Sequence, residues 1–442
     1  MSHRLSVGYV SPFPPVRSGI ADFSAELFPA LSAFVDAVAY SPAEARKAFA
    51  SGHDVVLVQI GNDPLHAPTY EALTDDARTT PAVVTLHDFS LHHLFAAAYL
   101  DGGREEEYGR ELVRNHGEKG RVLWERMKGG VKIPVWDLDP WSYPMSLEAA
   151  RRASILVVHS KIVAGSILRA VPGTDVVEFP HHVFPAPRTA RDVARHALGL
   201  PLDRPVAVTL GILTPAKRVR KLLEALASLP PASRPFLFVG GAGGDDDPHR
   251  IFARELGLQN DVGFGGYLPE ADFWHAASAA DLAVNLRHPT VGEASGAVCR
   301  LAGFGLPFIV SDAGWFRELP DSFAVKIPVG AGEVEAIAAE LSRLAFDPST
   351  AKLRGEAAAA WGYRRRPERV AEGYALVLQE AAEGRGRPRA LAGRLSVDLS
   401  EFGVGRAGSL GAGSRVPDAA VVGAVSARLE GLVPLRPIPS FD

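Results

Sequence analysis

The chain has 442 residues, of which 47% are apolar and 22% are charged, and its formal net charge is −4. This balance is that of an ordinary globular protein with room for two or three domains, and it gives no support to a nucleic-acid partner. The only cysteine, Cys299, excludes an intramolecular disulfide, and we interpret it as a small core residue. No run approaches the roughly 18 apolar residues of a membrane span, so we expect a cytoplasmic protein and leave peripheral contact with the inner membrane face open.

In chain order, short β-branched runs bounded by Gly, Pro or Asp predict strands. In the first half these runs are LSVGYV, DVVLVQI, AVVTLHD, ILVVHS and DVVEFP, and in the second half they are PVAVTLGIL, PFLFVGG, DVGFGGYL, DLAVNLR, PFIVSD and FAVKIPV. Continuous apolar runs are typical of strands buried on both faces. Helical patterns such as GIADFSAELFPALSAF, RKLLEALASL and EVEAIAAELSRLAF lie between them, and this alternation predicts βαβ units and a parallel sheet.

The alternation pauses near residues 182–200 and then restarts. We therefore predict an α/β protein with two doubly wound Rossmann-like domains, residues 1–187 and 188–360. Ligands bind outside the carboxyl ends of the strands in such sheets. We expect the two edges to face each other across a cleft that takes a two-part ligand.

Two segments interrupt this organisation. Residues 99–148 are too long for a simple βα connection and combine charged residues with three tryptophans. They are interpreted as a substrate-facing insertion, a helical decoration of the surface or a patch that touches a membrane. The tail, residues 383–442, is rich in Gly, Arg and Pro, which predicts flexibility, and we assign it no chemistry.

The stretch VGEASGAVCRLAGFGLP follows the predicted strand DLAVNLR. Ser295 is a predicted N-cap and Gly296–Gly303 the helix that follows it. Exposed N–H groups at a helix start, together with a glycine that lets the backbone approach a ligand, predict an anion site. Glu293, just outside, is suited to accept hydrogen bonds from ligand hydroxyls; the alternative is a helix-start acid that only matches the helix dipole.

Two further loops follow predicted strands. In GILTPAKRVRKLLEAL, Lys217 and Arg218 stand between strand and helix, where adjacent cations suit a diphosphate; the alternative is a solvated basic turn. In VSPFPPVRSGIADFSAEL, Gly19 follows Ser18 at a helix start and allows close approach of the backbone; the alternative is a plain surface loop. Neither the dinucleotide fingerprint nor a P-loop is present.

The stretch VVTLHDFSLHH places His87 and Asp88 at the end of a strand, with His92 and His93 just beyond. This is where parallel sheets carry chemistry, and we favour contact between His87 and a ligand over simple packing. A zinc site is conceivable because histidine is a common ligand. However, no cysteine assists and the spacing is not specific for a metal, so we expect none.

Together these stretches resemble the retaining glycosyltransferases of family 4, which have the GT-B architecture, over residues 5–382. The resemblance is closest to the bacterial subgroup that builds O-antigen and other surface polysaccharides, often with mannose. The segments that carry it are SGIADFSAEL, QIGND, LHDFSLHHL, VVHSKIV, TPAKR, RHPTVGEASGAVCRLAGFGLP and SDAGWFRELPD. As an ordered set they are specific, although each alone is weak.

The resemblance implies that the second domain binds a nucleotide-diphosphate sugar and the first binds the acceptor. Glu293 matches the glutamate that contacts the hydroxyls of the donor sugar. Ser295, Gly296 and Ala297 match the backbone amides at the sugar and phosphate, and Lys217 matches the lysine on the diphosphate.

In the first domain, Gly19 matches the glycine of the loop that closes over the phosphate, and His87 matches a histidine near the reacting centre. Two positions depart from the family pattern. Arg300 stands where the second glutamate, usually the ribose ligand, would be, and could reach the phosphates or pair with the first glutamate. The arginine before the lysine falls on Ile212, and Arg218 is a candidate for the missing cation.

We therefore predict a retaining glycosyltransferase that moves a hexose, with a mannose-like sugar favoured, from a nucleotide-diphosphate sugar to a hydroxyl acceptor. The acceptor is a glycan, a lipid-linked glycan or a small molecule, and no metal or other cofactor is expected. His87 and Glu293 are the candidate catalytic residues, and residues 361–382 are expected to form the helix that returns to the first domain. The alternatives are a nucleotide-sugar epimerase or a degenerate nucleotide-sugar-binding protein.

Overall fold

The computed structural model describes residues 4–128, 134–183, 187–241 and 247–384. The chain divides into two compact units: the first runs to Phe179 and resumes at Ala371, and the second is Pro180–Val370. The first unit thus ends slightly before the predicted boundary at residue 187. The tail predicted to be flexible lies outside the described residues from 385 onward.

A six-stranded parallel sheet forms the centre of the first unit, in the order β2-β1-β3-β4-β5-β6. The prediction found five of its six strands and missed β2, because this edge strand, DAVAY, is mostly exposed and has no apolar run. The central strand β3, by contrast, is buried along its whole length. The strands are β1 Ser6–Val10, β2 Asp36–Tyr40, β3 Val55–Ile60, β4 Ala82–Leu86, β5 Ile155–Val158 and β6 Val176–Glu178.

The second unit contains another six-stranded parallel sheet, in the order β12-β11-β10-β7-β8-β9. All six of its strands coincide with predicted runs, which confirms two doubly wound, Rossmann-like sheets. The strands are β7 Val206–Leu210, β8 Phe236–Gly240, β9 Val262–Gly266, β10 Leu282–Asn285, β11 Phe308–Ser311 and β12 Ala324–Ile327.

Helices surround both sheets and cover their apolar faces. Those of the first unit are α1 Gly19–Leu31, α2 Ala45–Ala50, α3 Ala67–Leu73, α4 His92–Phe95, α5 Glu105–Lys128, α6 Val135–Leu138, α7 Leu147–Arg152 and α8 Lys161–Ala170. Those that follow are α9 Arg191–Ala197, α10 Val219–Ser228, α11 Pro248–Glu255, α12 Glu270–Ala279, α13 Gly296–Gly303, α14 Glu333–Phe346, α15 Pro348–Tyr363 and α16 Pro367–Ala382.

The long insertion after β4 is largely helical. It contains α5, whose backbone kinks at Gly117, where φ is +58°. Tyr108, Leu112 and Trp124 of α5 are buried in the core of the first unit. These contacts agree with the interpretation of a helical decoration, fixed to the core of the first unit by its apolar side, and they leave its relation to a substrate open.

The single closing helix predicted for residues 361–382 is wrong in its first part. Helix α15 ends at Tyr363 and α16 begins at Pro367, because proline disfavours helical geometry in the residue before it and lacks the N–H that a continuing helix needs. From Ala371 onward, α16 belongs to the first unit, where the hydroxyl oxygens of Tyr374 and Thr85 lie 3.1 Å apart. Among the described helices, none is long and apolar enough to cross a membrane.

Candidate functional site

The start of α13 is built as the sequence predicts. The Ser295 hydroxyl caps the helix by accepting a hydrogen bond from the Val298 N–H at 3.3 Å. The amides of Gly296 and Ala297 belong to the first turn, where no carbonyl of the helix can accept from them. A Cβ on Gly296 would lie 3.7 Å from Nε2 of His181, so a histidine stands beside these amides. This end of α13 can therefore bind an anion through its backbone.

Glu293 is held by its own loop. Its Oε2 accepts from the Thr290 hydroxyl at 2.7 Å and from the Val291 N–H at 2.9 Å. Its Oε1 lies 2.8 Å from Nε of Arg287, and both side chains are mostly buried. The Nε–H is not directed at the oxygen, so this contact is a charge pair rather than an aligned hydrogen bond. A carboxylate fixed at both oxygens is positioned for recognition, which goes beyond the matching of a helix dipole.

Lys217 lies in a short 3₁₀ turn, Pro215–Lys217, just after β7. Its Nζ donates to the Leu210 carbonyl at 2.9 Å, and the residue is only 9% exposed. The pKa of the ammonium is lowered to about 7, mainly by burial and also by the Arg287 guanidinium, with the Glu293 carboxylate partly opposing both. The alternative of a solvated basic turn is therefore wrong for this residue.

Gly211 makes room for the lysine. Its φ is +104°, and a Cβ at this position would lie 2.5 Å from Nζ of Lys217. Both the backbone conformation and the close approach require glycine. Gly211, directly after β7, therefore leaves the space that the ammonium group of Lys217 occupies.

Arg218 is a non-glycine residue in the left-handed region, with φ +53°. Its guanidinium forms a two-point ion pair with Glu333 at the start of α14, with 2.6 Å between Nε and Oε1. Glu333 is almost fully buried. The Arg218 guanidinium, which was predicted to bind a diphosphate, is thus paired with a carboxylate of its own unit, Glu333.

Arg300 lies on α13 with its guanidinium over the rings of two α12 residues. The distances from Cζ to the ring centroids are 5.7 Å for Phe273 and 5.6 Å for Trp274. The arginine that pairs with Glu293 is Arg287, which the sequence analysis did not single out. The signal that could have found Arg287 is its place two residues after β10, at the edge of a parallel sheet where ligands bind.

In the first unit, Gly19 is the first residue of α1, which Ser18 caps by accepting from the Ile20 N–H at 3.2 Å. Gly19 is exposed, and a Cβ added there would meet nothing within 4 Å. The fold of this unit therefore does not require glycine here.

Replacing Gly19 with valine should leave the melting temperature of the protein unchanged and still reduce its activity, because a side chain would block the close approach of this backbone to a ligand. We expect a loss of about tenfold in kcat/KM, equivalent to about 1.4 kcal/mol. Melting curves and initial rates check this, with Gly19→Ala, which adds a smaller side chain at the same position, for comparison. Unchanged kcat/KM in Gly19→Val would favour the alternative, in which Gly19 belongs to a surface loop that does not approach a ligand.

His87 follows β4 and is 9% exposed. Its Nε2 lies 2.8 Å from Oε1 of Gln59, so the amide oxygen accepts from an Nε2–H tautomer. The ring packs edge-on against Phe23, 4.7 Å between centroids, and lies 5.2 Å from the ring of His159. His87 is thus firmly oriented, which suits a contact residue and equally the packing alternative.

The neighbours of His87 have separate partners. The Asp88 carboxylate accepts from the Asn62 N–H at 2.8 Å. His93 contacts the Asn62 amide at 3.0 Å and the Asp137 carboxylate at 3.0 Å. These polar groups order the loops after β3 and β4.

His92 packs in the core of the first unit. It is fully buried between the Tyr108 hydroxyl at 2.6 Å and the Tyr143 carbonyl at 2.7 Å, and burial lowers its pKa to about 4. In the described part of the chain, no three His, Cys, Asp or Glu side chains are grouped to hold a metal ion.

Comparisons with known proteins agree with this architecture. Residues 190–361 match the family described as Glycosyl transferases group 1, whereas no curated protein sequence matches the chain. Sucrose-phosphate synthase from Thermosynechococcus elongatus is 15% identical, with 85% of this chain and 99% of that chain covered and a TM-score of 0.62.

Two further solved structures share the fold. The Anabaena protein HepE, in complex with UDP and glucose, is 16% identical over 85% of this chain and 100% of its own, with a TM-score of 0.58. WaaG, a glycosyltransferase involved in lipopolysaccharide biosynthesis, is 14% identical over 84% and 99%, with a TM-score of 0.53. The chain thus has the GT-B architecture, and the family match in its second unit supports a glycosyltransferase.

Proposed function

We propose that the protein is a retaining glycosyltransferase that moves a hexose from a nucleotide-diphosphate sugar to a hydroxyl acceptor. The observation that carries this proposal is the grouping of Lys217, Arg287 and Glu293 beside the start of α13. Strands β7 and β10 are neighbours in the sheet, and a hydrogen bond of 2.8 Å from the His288 N–H to the Ala216 carbonyl joins the loops that follow them. That hydrogen bond keeps the lysine and the arginine at one edge of the sheet, where such folds bind their ligands.

The chemistry follows from the charges at this edge. When the bond between the sugar C1 and the diphosphate oxygen breaks, negative charge develops on the diphosphate. Cations and helix-start amides fixed near that charge stabilise the transition state by about 3 kcal/mol for each well-placed donor. We assign this role to Lys217 and to the amides of Gly296 and Ala297, and no metal ion is required for it.

The acceptor hydroxyl forms the new bond to C1 on the face that the diphosphate leaves, and its proton passes to the departing phosphate oxygen. The anomeric configuration is then retained without a protein nucleophile. Glu293 binds hydroxyls of the donor sugar, because its fixed carboxylate accepts charge-assisted hydrogen bonds. His87, on the first unit, is assigned a contact near the reacting centre.

The identity of the hexose rests on similarity alone. The resemblance to enzymes of bacterial surface polysaccharides favours a mannose-like sugar, while the structure of HepE contains UDP and glucose. The involvement of WaaG in lipopolysaccharide biosynthesis supports a glycan or glycoconjugate acceptor. We place the activity in the cytoplasm and leave peripheral contact with the inner membrane face open.

The proposal is tested by incubating the protein with UDP-glucose or GDP-mannose, with and without glycan and lipid-linked acceptors, and analysing the products by NMR. The expected result is a new glycosidic bond with the anomeric configuration of the donor. Isomerised donor in the absence of acceptor would identify an epimerase. Binding of donor with no turnover under any condition would identify a degenerate binding protein.

The affinity for a nucleoside diphosphate should fall as the pH rises above about 7. Burial lowers the pKa of Lys217 to about 7 in the free protein, and a bound anion raises it, so binding above that pH requires uptake of a proton. The contribution of the lysine to the affinity is level below the lower pKa and declines by up to about tenfold per pH unit above it. The phosphate itself titrates near pH 6, so the range from about 7 to 8.5 isolates the lysine.

Calorimetry of UDP and GDP binding in buffers of different ionisation enthalpy measures this proton uptake. The Lys217→Met variant should bind more weakly and take up no proton. Equal proton uptake by the variant and the wild type would assign the titration to another group.

A further inference from the structure

We infer that Arg287 supplies the second cation of the diphosphate site, in place of the arginine that related enzymes carry at the position of Ile212. This inference rests on the proposed function, because it assigns a residue to the binding of the same donor. It concerns a side chain that neither the motif comparison nor the family match assigns.

The backbone around Arg287 brings three strand ends together. Arg287 lies two residues after the end of β10, and its N–H donates to the Ser311 hydroxyl at the end of β11 at 2.8 Å. The next residue, His288, donates to the Ala216 carbonyl after β7 at 2.8 Å. Arg287 is therefore fixed at the edge of the sheet where doubly wound folds bind their ligands.

The side chain of Arg287 is only 13% exposed, its Nε lies 2.8 Å from Oε1 of Glu293, and its Cζ lies 5.9 Å from the centroid of the Phe316 ring. Within residues 4–128, 134–183, 187–241 and 247–384, no hydrogen bond is formed by either terminal Nη atom of Arg287. The planar end of a guanidinium is well suited to two oxygens of a phosphate. The ion pair with Glu293 therefore leaves both terminal nitrogens able to donate to a phosphate.

The local charge also favours an anion. Lys217, Arg287 and Glu293 are all mostly buried, and the charges of Arg287 and Glu293 both act on Lys217. Burial of like charges side by side is unfavourable unless a further negative group joins them. The effect of Arg287 on the pKa of Lys217 agrees with this proximity.

The other candidates for the missing cation are committed elsewhere. Arg218 forms its two-point ion pair with Glu333. Ile212, at the position of the missing arginine, is apolar and 62% exposed. Arg300 lies over the rings of α12. Arg287 is the basic side chain that already contacts the predicted sugar-binding residue.

A purely structural role would make Arg287 no more than the partner of Glu293. Nucleoside diphosphates separate the two roles, because they carry the diphosphate and lack the sugar that Glu293 would bind. If Arg287 binds the diphosphate, its replacement weakens binding of UDP or GDP. If Arg287 only positions Glu293, its replacement weakens binding of the nucleotide sugar alone.

The experiment measures binding of UDP, GDP, ADP, CDP and dTDP, and of the matching monophosphates, by calorimetry with the full chain. For the diphosphate that binds the wild type, Arg287→Met should reduce affinity about tenfold or more, as expected for charge-assisted hydrogen bonds, and the preference for diphosphate over monophosphate should shrink. Adding Ile212→Arg to Arg287→Met should restore most of the loss. Arg204→Met, which removes another partly buried arginine paired with a carboxylate, Asp261, should bind as the wild type.

Arg287→Lys serves if Arg287→Met does not fold, and it should bind with intermediate affinity because it keeps the charge without the fork. Wild-type affinity in Arg287→Met, or a loss that is equal for mono- and diphosphates and is not restored by Ile212→Arg, would overturn the inference and leave the proposed function standing. If the wild type binds none of the five diphosphates, the proposed function fails and the inference fails with it.

Discussion

Replacing Lys217 with methionine is expected to reduce glycosyl transfer about tenfold or more and to weaken nucleoside diphosphate binding, because it removes a fixed positive charge from the departing diphosphate. Burial opposes the charged form of Lys217 and lowers its pKa to about 7. Methionine keeps an apolar stem beside Gly211 and relieves this burial cost, so the melting temperature should stay the same or rise. A lower transfer rate with an unchanged or higher melting temperature would show that Lys217 contributes to transfer and not to folding.

The matched control is Lys221→Met. Lys221 lies on α10, is more exposed than Lys217 and pairs with Glu224 at 2.8 Å. Its replacement should change neither rate nor affinity. The role assigned to Lys217 would not survive if both lysine variants transferred sugar at the wild-type rate.

Replacing Glu293 with alanine is expected to reduce kcat/KM for transfer about tenfold or more, since hydrogen bonds to a charged acceptor contribute about 1.5–3 kcal/mol each. Affinity for the nucleoside diphosphate without its sugar should be kept or increased, because a negative charge leaves the cluster around Lys217 and Arg287. Steady-state kinetics with the donor and calorimetry with the diphosphate measure the two effects separately.

Glu293→Gln preserves the shape of the side chain and one oxygen acceptor, so it should lose less activity than Glu293→Ala. Asp312→Ala, which removes an exposed carboxylate paired with Arg317, should remain active. If Glu293→Ala weakened the diphosphate and the nucleotide sugar equally, the carboxylate would have no role in reading the sugar.

The sheets were predictable because most of their strands are continuous apolar runs buried on both faces. The strand β2 was missed because an exposed edge strand needs no such run. The cap at Ser295 and the extent of α13 were predictable because capping depends on residues close in sequence. The same local logic failed for residues 361–382, where a proline at 367 starts a new helix.

The partners of the site residues were not predictable from local sequence. Arg218 meets Glu333, 115 residues further along the chain, and only the fold brings them together. Arg287 is close to Glu293 in sequence, yet the motif comparison drew attention to Arg300, whose helical spacing from the glutamate gave no information on which way its side chain would turn. Burial, which lowers the pKa of Lys217, is likewise a property of the assembled loops.

The most direct test of the central claim is a crystal structure of the protein with the nucleotide-diphosphate sugar that binds it. We predict the diphosphate within hydrogen-bonding distance of Lys217 and of the first amides of α13, with a sugar hydroxyl donating to Glu293. A donor bound elsewhere, with neither Lys217 nor Glu293 in contact with it, would contradict the account.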